Sequence, residues 1–328
     1  MDLRETENVA YLAIDLGGTF VKSAVIDPDG NVFENSLSKS YSYSDDSEEK
    51  ILNNLKSLIQ KQLVYCDTEG LLLKGIGLCC PGPFDYVNGI PKMNHKFKNI
   101  YGVNLRKFIY EIPGVSANTT VIFMHDAVAA LQGEMWKGNV KEFGNVAIVT
   151  IGTGLGFAFT IDGKVQHCET GKPLLSIYKL PYEQGILEDR VSCRGVLELH
   201  QKTNGATPIA SDASVIGELA DKGNANAIAT FEEVGKALGR AILKIIEEHK
   251  IECLLIGGGI SNSFSHMRGA LENELKEIRT LKKISRVYNI HNAPLLGIHS
   301  VLISTEKSSD KTGINVIEKP GQVVSVEN

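Results

Sequence analysis

Residues 9–19 read Val9-Ala10-Tyr11-Leu12-Ala13-Ile14-Asp15-Leu16-Gly17-Gly18-Thr19. An apolar, partly β-branched run ends in paired glycines, and a second apolar run, Phe20 to Ile26, follows at once. That is the pattern of a strand, a tight glycine turn and a returning strand. About half a chain later it recurs as Asn145 to Ile151, then Gly152-Thr153-Gly154-Leu155-Gly156, then Phe157 to Ile161. A further apolar run, Cys253 to Ile256, stops at Gly257-Gly258-Gly259. The echo implies internal duplication.

Glycine lets the backbone approach an anion closely, and successive N–H groups can converge on one cluster of oxygens. Asp15 adds a carboxylate for a magnesium shell and Thr19 a hydroxyl donor. Each turn alone also reads as an ordinary hairpin turn, because short glycine motifs recur by chance. All three, each at a strand end, favour phosphate binding. None has the spacing of a P-loop or of the Rossmann fingerprint.

The other elements follow from periodicity. Apolar residues at helical spacing predict a helix over Glu48–Val64, and Asp126–Trp136, Ala213–Ala220, Ala225–Glu248, Phe264–Leu281 and Pro294–Thr305 read likewise. Val32–Leu37, Leu71–Cys80 and Thr120–Met124 read as strands, and Ser38–Ser47 as a loop. Cys79 and Cys80, adjacent in a strand, should point to opposite faces. Two lobes result, residues 1–125 and 126–305, with a polar tail over 306–328.

Composition excludes several classes. A chain of 328 residues with net charge −5 and no basic run does not suit a nucleic-acid partner. No apolar stretch is long enough to span a membrane, and the first residues hold no signal-peptide core. Six scattered cysteines without a Cys-x-x-Cys pair read as reduced thiols of a cytoplasmic protein.

Five blocks, in order, carry a family resemblance. Ala13 to Thr19 resembles the first phosphate motif of the ROK family (repressors, open reading frames and kinases). Cys80-Pro81-Gly82-Pro83-Phe84-Asp85 resembles its Pro-Gly-Pro sugar-side loop. His125 to Glu134 resembles its Asn-Asp-Ala-Asn-Ala-Ala-x-x-Gly-Glu helix start, and Gly152 to Gly156 its second phosphate loop. Ile256 to Ser261 resembles its adenosine loop. The resemblance implies an actin-like ATPase (ribonuclease H-like) duplicated fold, with two α/β lobes around a central cleft. It also implies that the last helix returns to the first lobe. ATP and magnesium are the implied cofactors, a hexose or amino sugar the substrate, and a homodimer the assembly. Asp126 would be the general base, and Asn94, His125 and Gly82 would face the sugar.

Alternatives stand beside these roles. Asp126 begins a helix, so it also reads as an N-cap. Asn94 also reads as a loop residue bonding its own backbone. His125 stands where the family has Asn. The family's Gly-Glu-x-Gly-His segment falls on Leu175-Ser176-Ile177-Tyr178, with Glu169 or Glu183 reachable by a short gap. The counterpart of its cysteine-rich loop, Val191 to Glu198, keeps only Cys193, and one cysteine makes no tetrahedral site, so no structural zinc is expected. A sugar kinase and a weak or inactive sugar sensor therefore both fit. A repressor is not expected, because only about eight residues precede the first strand, too few for a helix-turn-helix.

Overall fold

The structure is a computed structural model and describes residues 8–204, 212–289 and 292–312. In the first half run β1 (Val9–Leu16), β2 (Phe20–Ile26), β3 (Ser38–Tyr41), α1 (Glu48–Thr68) and β4 (Leu72–Cys80). A small hairpin, β5 (Phe84–Asp85) with β6 (Ile90–Pro91), then α2 (Leu105–Tyr110) and β7 (Thr120–His125) complete it. The second half opens with α3 (Asp126–Lys137), β8 (Val146–Ile151), β9 (Leu155–Ile161), β10 (Lys164–Val165) and the hairpin β11 (Pro181–Tyr182) to β12 (Gly185–Ile186). Helices α4 (Cys193–Asn204), α5 (Ala213–Asp221) and α6 (Ala225–Glu248) follow. The last elements are β13 (Cys253–Gly257), α7 (Phe264–Leu275), β14 (Lys283–Arg286) and α8 (Ala293–Thr312).

Each half holds one five-stranded sheet, in the orders β3-β2-β1-β4-β7 and β10-β9-β8-β13-β14. The duplication is visible in the pairing. β1 and β8 each run antiparallel to the strand after the glycine turn, and parallel to β4 and β13 respectively. The molecule is thus a bilobal α/β structure with two similar sheets and a cleft between them, the actin-like arrangement.

Alternation along β4 sets the layers. Ile76, Leu78 and Cys80 face α1 and join Leu12, Ile14, Ile51, Leu55 and Ile59 in one core. Gly75, Gly77 and Cys79 face the other way, toward α8. A methyl on Gly77 would lie 2.4 Å from Ile298 Cγ1, and one on Gly75 2.8 Å from Leu302 Cδ2, so the bare backbone admits the side chains of α8. The second sheet repeats the scheme. Val149, Ile151, Phe157 and Phe159 pack under α6, while Val146, Ile148 and Ala158 pack against α3. Helices α3 and α8 therefore lie between the two sheets.

They cross at backbone contact. A methyl on Gly297 would come within 1.8 Å of the Ala129 carbonyl oxygen, and one on Gly133 within 2.1 Å of the Ala293 oxygen. Beside this crossing His299 is fully buried, edge-on to Tyr11 (5.1 Å between ring centroids) and 5.5 Å from Trp136. Neither ring nitrogen has a hydrogen-bond partner among the described residues. Burial lowers its pKa to about 4, and the nearby Asp27 only partly opposes this.

Several expectations need correction. Val32–Leu37 is not a strand: a 3-10 turn at Glu34–Ser36 buries Ser36, whose Oγ accepts from Val25 N–H at 2.8 Å. The pairing strand comes later, at Ser38–Tyr41, inside the expected loop. Helix α7 ends at Leu275 rather than Leu281, and Lys283–Arg286 pairs in parallel with β13. Helix α8 runs to Thr312, so 306–312 continue it where a tail was expected; residues 313–328 lie outside the described residues. No described helix is long and apolar enough to cross a membrane.

Two measurements test this packing. Gly297→Ala should lower stability by about 3 kcal/mol in urea titration, because the crossing must open to admit the methyl; an unchanged midpoint would show that α3 and α8 are not in backbone contact. His299 stays neutral in the fold while its unfolded form takes up a proton below about pH 6.5. Stability should therefore be level above that pH and fall as pH drops toward 4, losing roughly 2 kcal/mol by pH 5. His299→Leu should remove that part of the slope, and a variant with the wild-type pH profile would refute the assignment.

Candidate active site

The ends of the parallel strands converge. The turn after β1, the loop after β4, the β7–α3 junction, the turn after β8 and the turn after β13 all open on one cleft of about 450 Å³. Open α/β sheets place ligands at such carboxyl ends. Of the residues expected from sequence, Gly18, Gly82, His125, Asp126, Gly152, Thr153, Gly154 and Gly258 line it. Asp15 is on β1, Gly17 and Thr19 are in the turn after it, and Gly257 and Gly259 flank Gly258; these five are not among the lining residues. Asn94 is exposed and lies outside the lining, whereas His95 and Lys96 beside it are within.

The two phosphate-type turns face each other across Lys96. A methyl on Gly18 would lie 3.4 Å from Lys96 Nζ, and one on Gly154 3.9 Å from the same atom. Each turn is braced from behind. The Ser42 and Ser44 hydroxyls donate to the Gly18 carbonyl at 2.8 and 2.6 Å, and Cys193 N–H donates to the Gly152 carbonyl at 2.8 Å. Cys193 thus starts α4 as part of the second turn's support. Gly258 closes the third turn at φ +78°, where a methyl would come within 2.3 Å of the Ile151 oxygen, so only glycine fits.

Asp126 is the first residue of α3, and His125, not Asp126, is the helix cap. The Ala127 N–H lies 2.7 Å from Asp126 Oδ1 and 3.2 Å from His125 Nδ1. Nδ1 of His125 caps the helix by accepting the Ala127 N–H and also lies 3.0 Å from Asp126 Oδ1, a contact that is an ion pair when the imidazole is protonated. Burial alone would raise the Asp126 pKa; the His125 imidazole, the Ala127 N–H and the Lys96 ammonium outweigh it and hold the carboxyl below its usual range. Asp15 behaves oppositely. Burial pushes its carboxyl up to about 6, Lys22 opposes this, and the charge of Asp126 adds to it. Asp126 in the cleft lining and Asp15 behind it on β1 thus interact while lying in different ionisation regimes.

The opposite wall combines both lobes. The Tyr86 hydroxyl donates to the Cys80 carbonyl at 3.0 Å, and its ring stands edge-on to His125 at 5.9 Å. Tyr86 N–H donates to the Thr170 carbonyl at 3.2 Å, which brings Lys172, Leu175, Ser176 and Tyr178 to the cleft. Neither Glu169 nor Glu183 lines it; Glu183 pairs with Arg190 instead. Glu188, which the sequence did not single out, does line it, accepting the Leu155 N–H at 2.8 Å. Lys96 was missed too, although the buried Met93 and Phe97 on either side confine the residues between them to a surface-facing turn. Among the described residues no three His, Cys, Asp or Glu side chains gather as a metal-holding group.

The ROK family model matches residues 11–174. A glucokinase of Halalkalibacterium halodurans is 26% identical over 277 residues, covering 77% of this chain and 81% of that one. The xylose repressor of Bacillus spizizenii is 23% identical over 317 residues, covering 89% of this chain and 76% of the repressor. The solved ROK glucokinase of Streptomyces griseus, in complex with glucose and AMPPNP, superposes with a TM-score of 0.74 at 20% identity, over 89% of this chain and 98% of that one.

Proposed function

The chain belongs to the ROK family of sugar kinases and regulators, and on that premise we propose that it transfers the γ-phosphoryl group of ATP to a hydroxyl of a hexose or amino sugar. One observation carries the reading: an ionised carboxylate, Asp126, stands in the same cleft as two facing glycine turns. The turns offer backbone N–H groups to the phosphates, and the Pro81–Pro83 loop with the Lys172–Tyr178 segment forms the sugar side. Asp126 accepts the hydroxyl proton as the new P–O bond forms and the bond to the leaving ADP breaks. A pKa below the usual carboxylate range keeps it ready at neutral pH, and His125 fixes its orientation.

Magnesium binds through one or two carboxylates plus phosphate oxygens and keeps several waters. Asp15 fits that demand, as a half-buried carboxyl whose ionised form is poorly compensated by the protein. When bound, the ion would screen the charge of the phosphate oxygens. Asp15 would hold it directly or through water.

A second reading rests on the sugar wall. Leu175, Ser176 and Tyr178 line the cleft where the family pattern places an acidic residue and a histidine. A binding protein with little turnover would tolerate that change, whereas a kinase needs its acceptor hydroxyl aligned.

Asp126→Asn keeps the side chain's shape but cannot take the proton. It should cut turnover by ~10²–10⁴-fold while leaving ATP affinity nearly intact. A coupled assay with magnesium, ATP and a broad sugar panel, alongside nucleotide titration, reads both. If no sugar is phosphorylated by the wild type yet one raises its melting temperature, the binding-protein reading takes the place of the kinase reading.

A further inference from the structure

One cation of the cleft has no role in the steps above. Lys96 lies in the segment between β6 and α2, and its backbone is locked to the first glycine turn. Phe97, the next residue, is completely buried and adopts φ +49°, a left-handed conformation rare for an aromatic residue. Its N–H donates to the Ser44 carbonyl at 2.9 Å. Ser44 and Ser42 in turn donate their hydroxyls to Gly18, and Ser42 N–H donates to the Thr19 carbonyl at 3.0 Å. Glycine turn, serine segment and lysine loop are one hydrogen-bonded unit, and burial of Phe97 holds its unfavourable backbone in place.

The Lys96 side chain then runs along Gly18, where a methyl would lie 3.0 Å from Cδ and 3.2 Å from Cε. Its ammonium ends between Gly18 and Gly154. No carboxylate among the described residues comes within 4.0 Å of it. Glu188, beside Gly154, already accepts the Leu155 N–H. An ammonium set between two glycine turns, in contact with no carboxylate and sharing its charge only at longer range with Asp126, is a site for an anionic oxygen cluster.

We propose that Lys96 binds the terminal phosphate of the nucleoside triphosphate and stays with that phosphoryl group as it passes to the acceptor. This rests on the kinase reading and deepens it. The bond from the β-phosphate bridging oxygen to γ-phosphorus breaks, the bond from acceptor oxygen to phosphorus forms, the hydroxyl proton goes to Asp126, and ADP leaves. Lys96 moves no proton; it neutralises charge on the transferred oxygens throughout. Its neighbour His95 also lines the cleft, so the segment that steadies the phosphoryl group also borders the acceptor.

The test compares two nucleotides that differ by one phosphate. Calorimetric titration of wild type and Lys96→Gln with magnesium–AMPPNP and magnesium–ADP should show AMPPNP affinity falling about tenfold or more in the variant, with ADP affinity unchanged within about twofold. Turnover should fall by ~10²–10³-fold with the sugar KM little altered. Equal losses for both nucleotides, or no loss for either, would overturn the Lys96 assignment and leave the kinase reading standing. A wild type that binds neither nucleotide would overturn both. Should Lys96→Gln fail to fold, Lys96→Arg carries the comparison: retained preference for AMPPNP over ADP supports the assignment, and loss of that preference overturns it.

Discussion

The close crossing of α3 and α8 organises the molecule. Two helices can touch backbone to backbone only where neither carries a side chain, and Gly133 and Gly297 supply those positions. The contact matters because the helices belong to different sheets. Helix α8 presses Ile298 and Leu302 onto the glycines of β4, while α3 presses Ala127, Val128 and Leu131 onto the second sheet. The lobes are therefore joined through packed helices as well as through the chain, and the residue that opens α3 is Asp126.

The cleft combines features that oppose one another energetically. Asp126 in its lining and Asp15 on β1 repel, and desolvation penalises both. The protein compensates Asp126 with an imidazole, a helix N-terminal N–H and a distant ammonium, and leaves Asp15 largely uncompensated. Under the proposed function, a polyphosphate carrying a divalent cation would bring a positive charge toward Asp15 and negative oxygens toward the glycine turns and Lys96.

Much of this was legible in the chain. Strands followed by glycine turns, the apolar periodicity of α1 and α6, and the opposite faces of Cys79 and Cys80 are local patterns, and local patterns survive in sequence. The failures share a cause. Ser38–Tyr41 is a polar edge strand held only by β2, so it carries no apolar alternation to read. Helix α4 starts at Cys193 through a bond to Gly152, far away in the chain. Lys96 and Glu188 enter the cleft because distant segments place them there. Asn94 shows the converse: the motif match falls on a loop that reaches the cleft, but beside the left-handed turn at Phe97 it is His95 and Lys96 of that loop that line it.

The glycine crossing also constrains movement. Surfaces in backbone contact cannot slide past one another without first separating, so the lobes are left with rotation about the crossing as their cheapest relative motion. Asp126 precedes Ala129 by only about 4.5 Å of helix rise, and so lies near the pivot. Lys172 and Tyr178, which also line the cleft, stand on the segment between β10 and β11, outside both crossing helices. Rotation about the crossing would swing that segment through a wider arc than Asp126, separating the two by leverage.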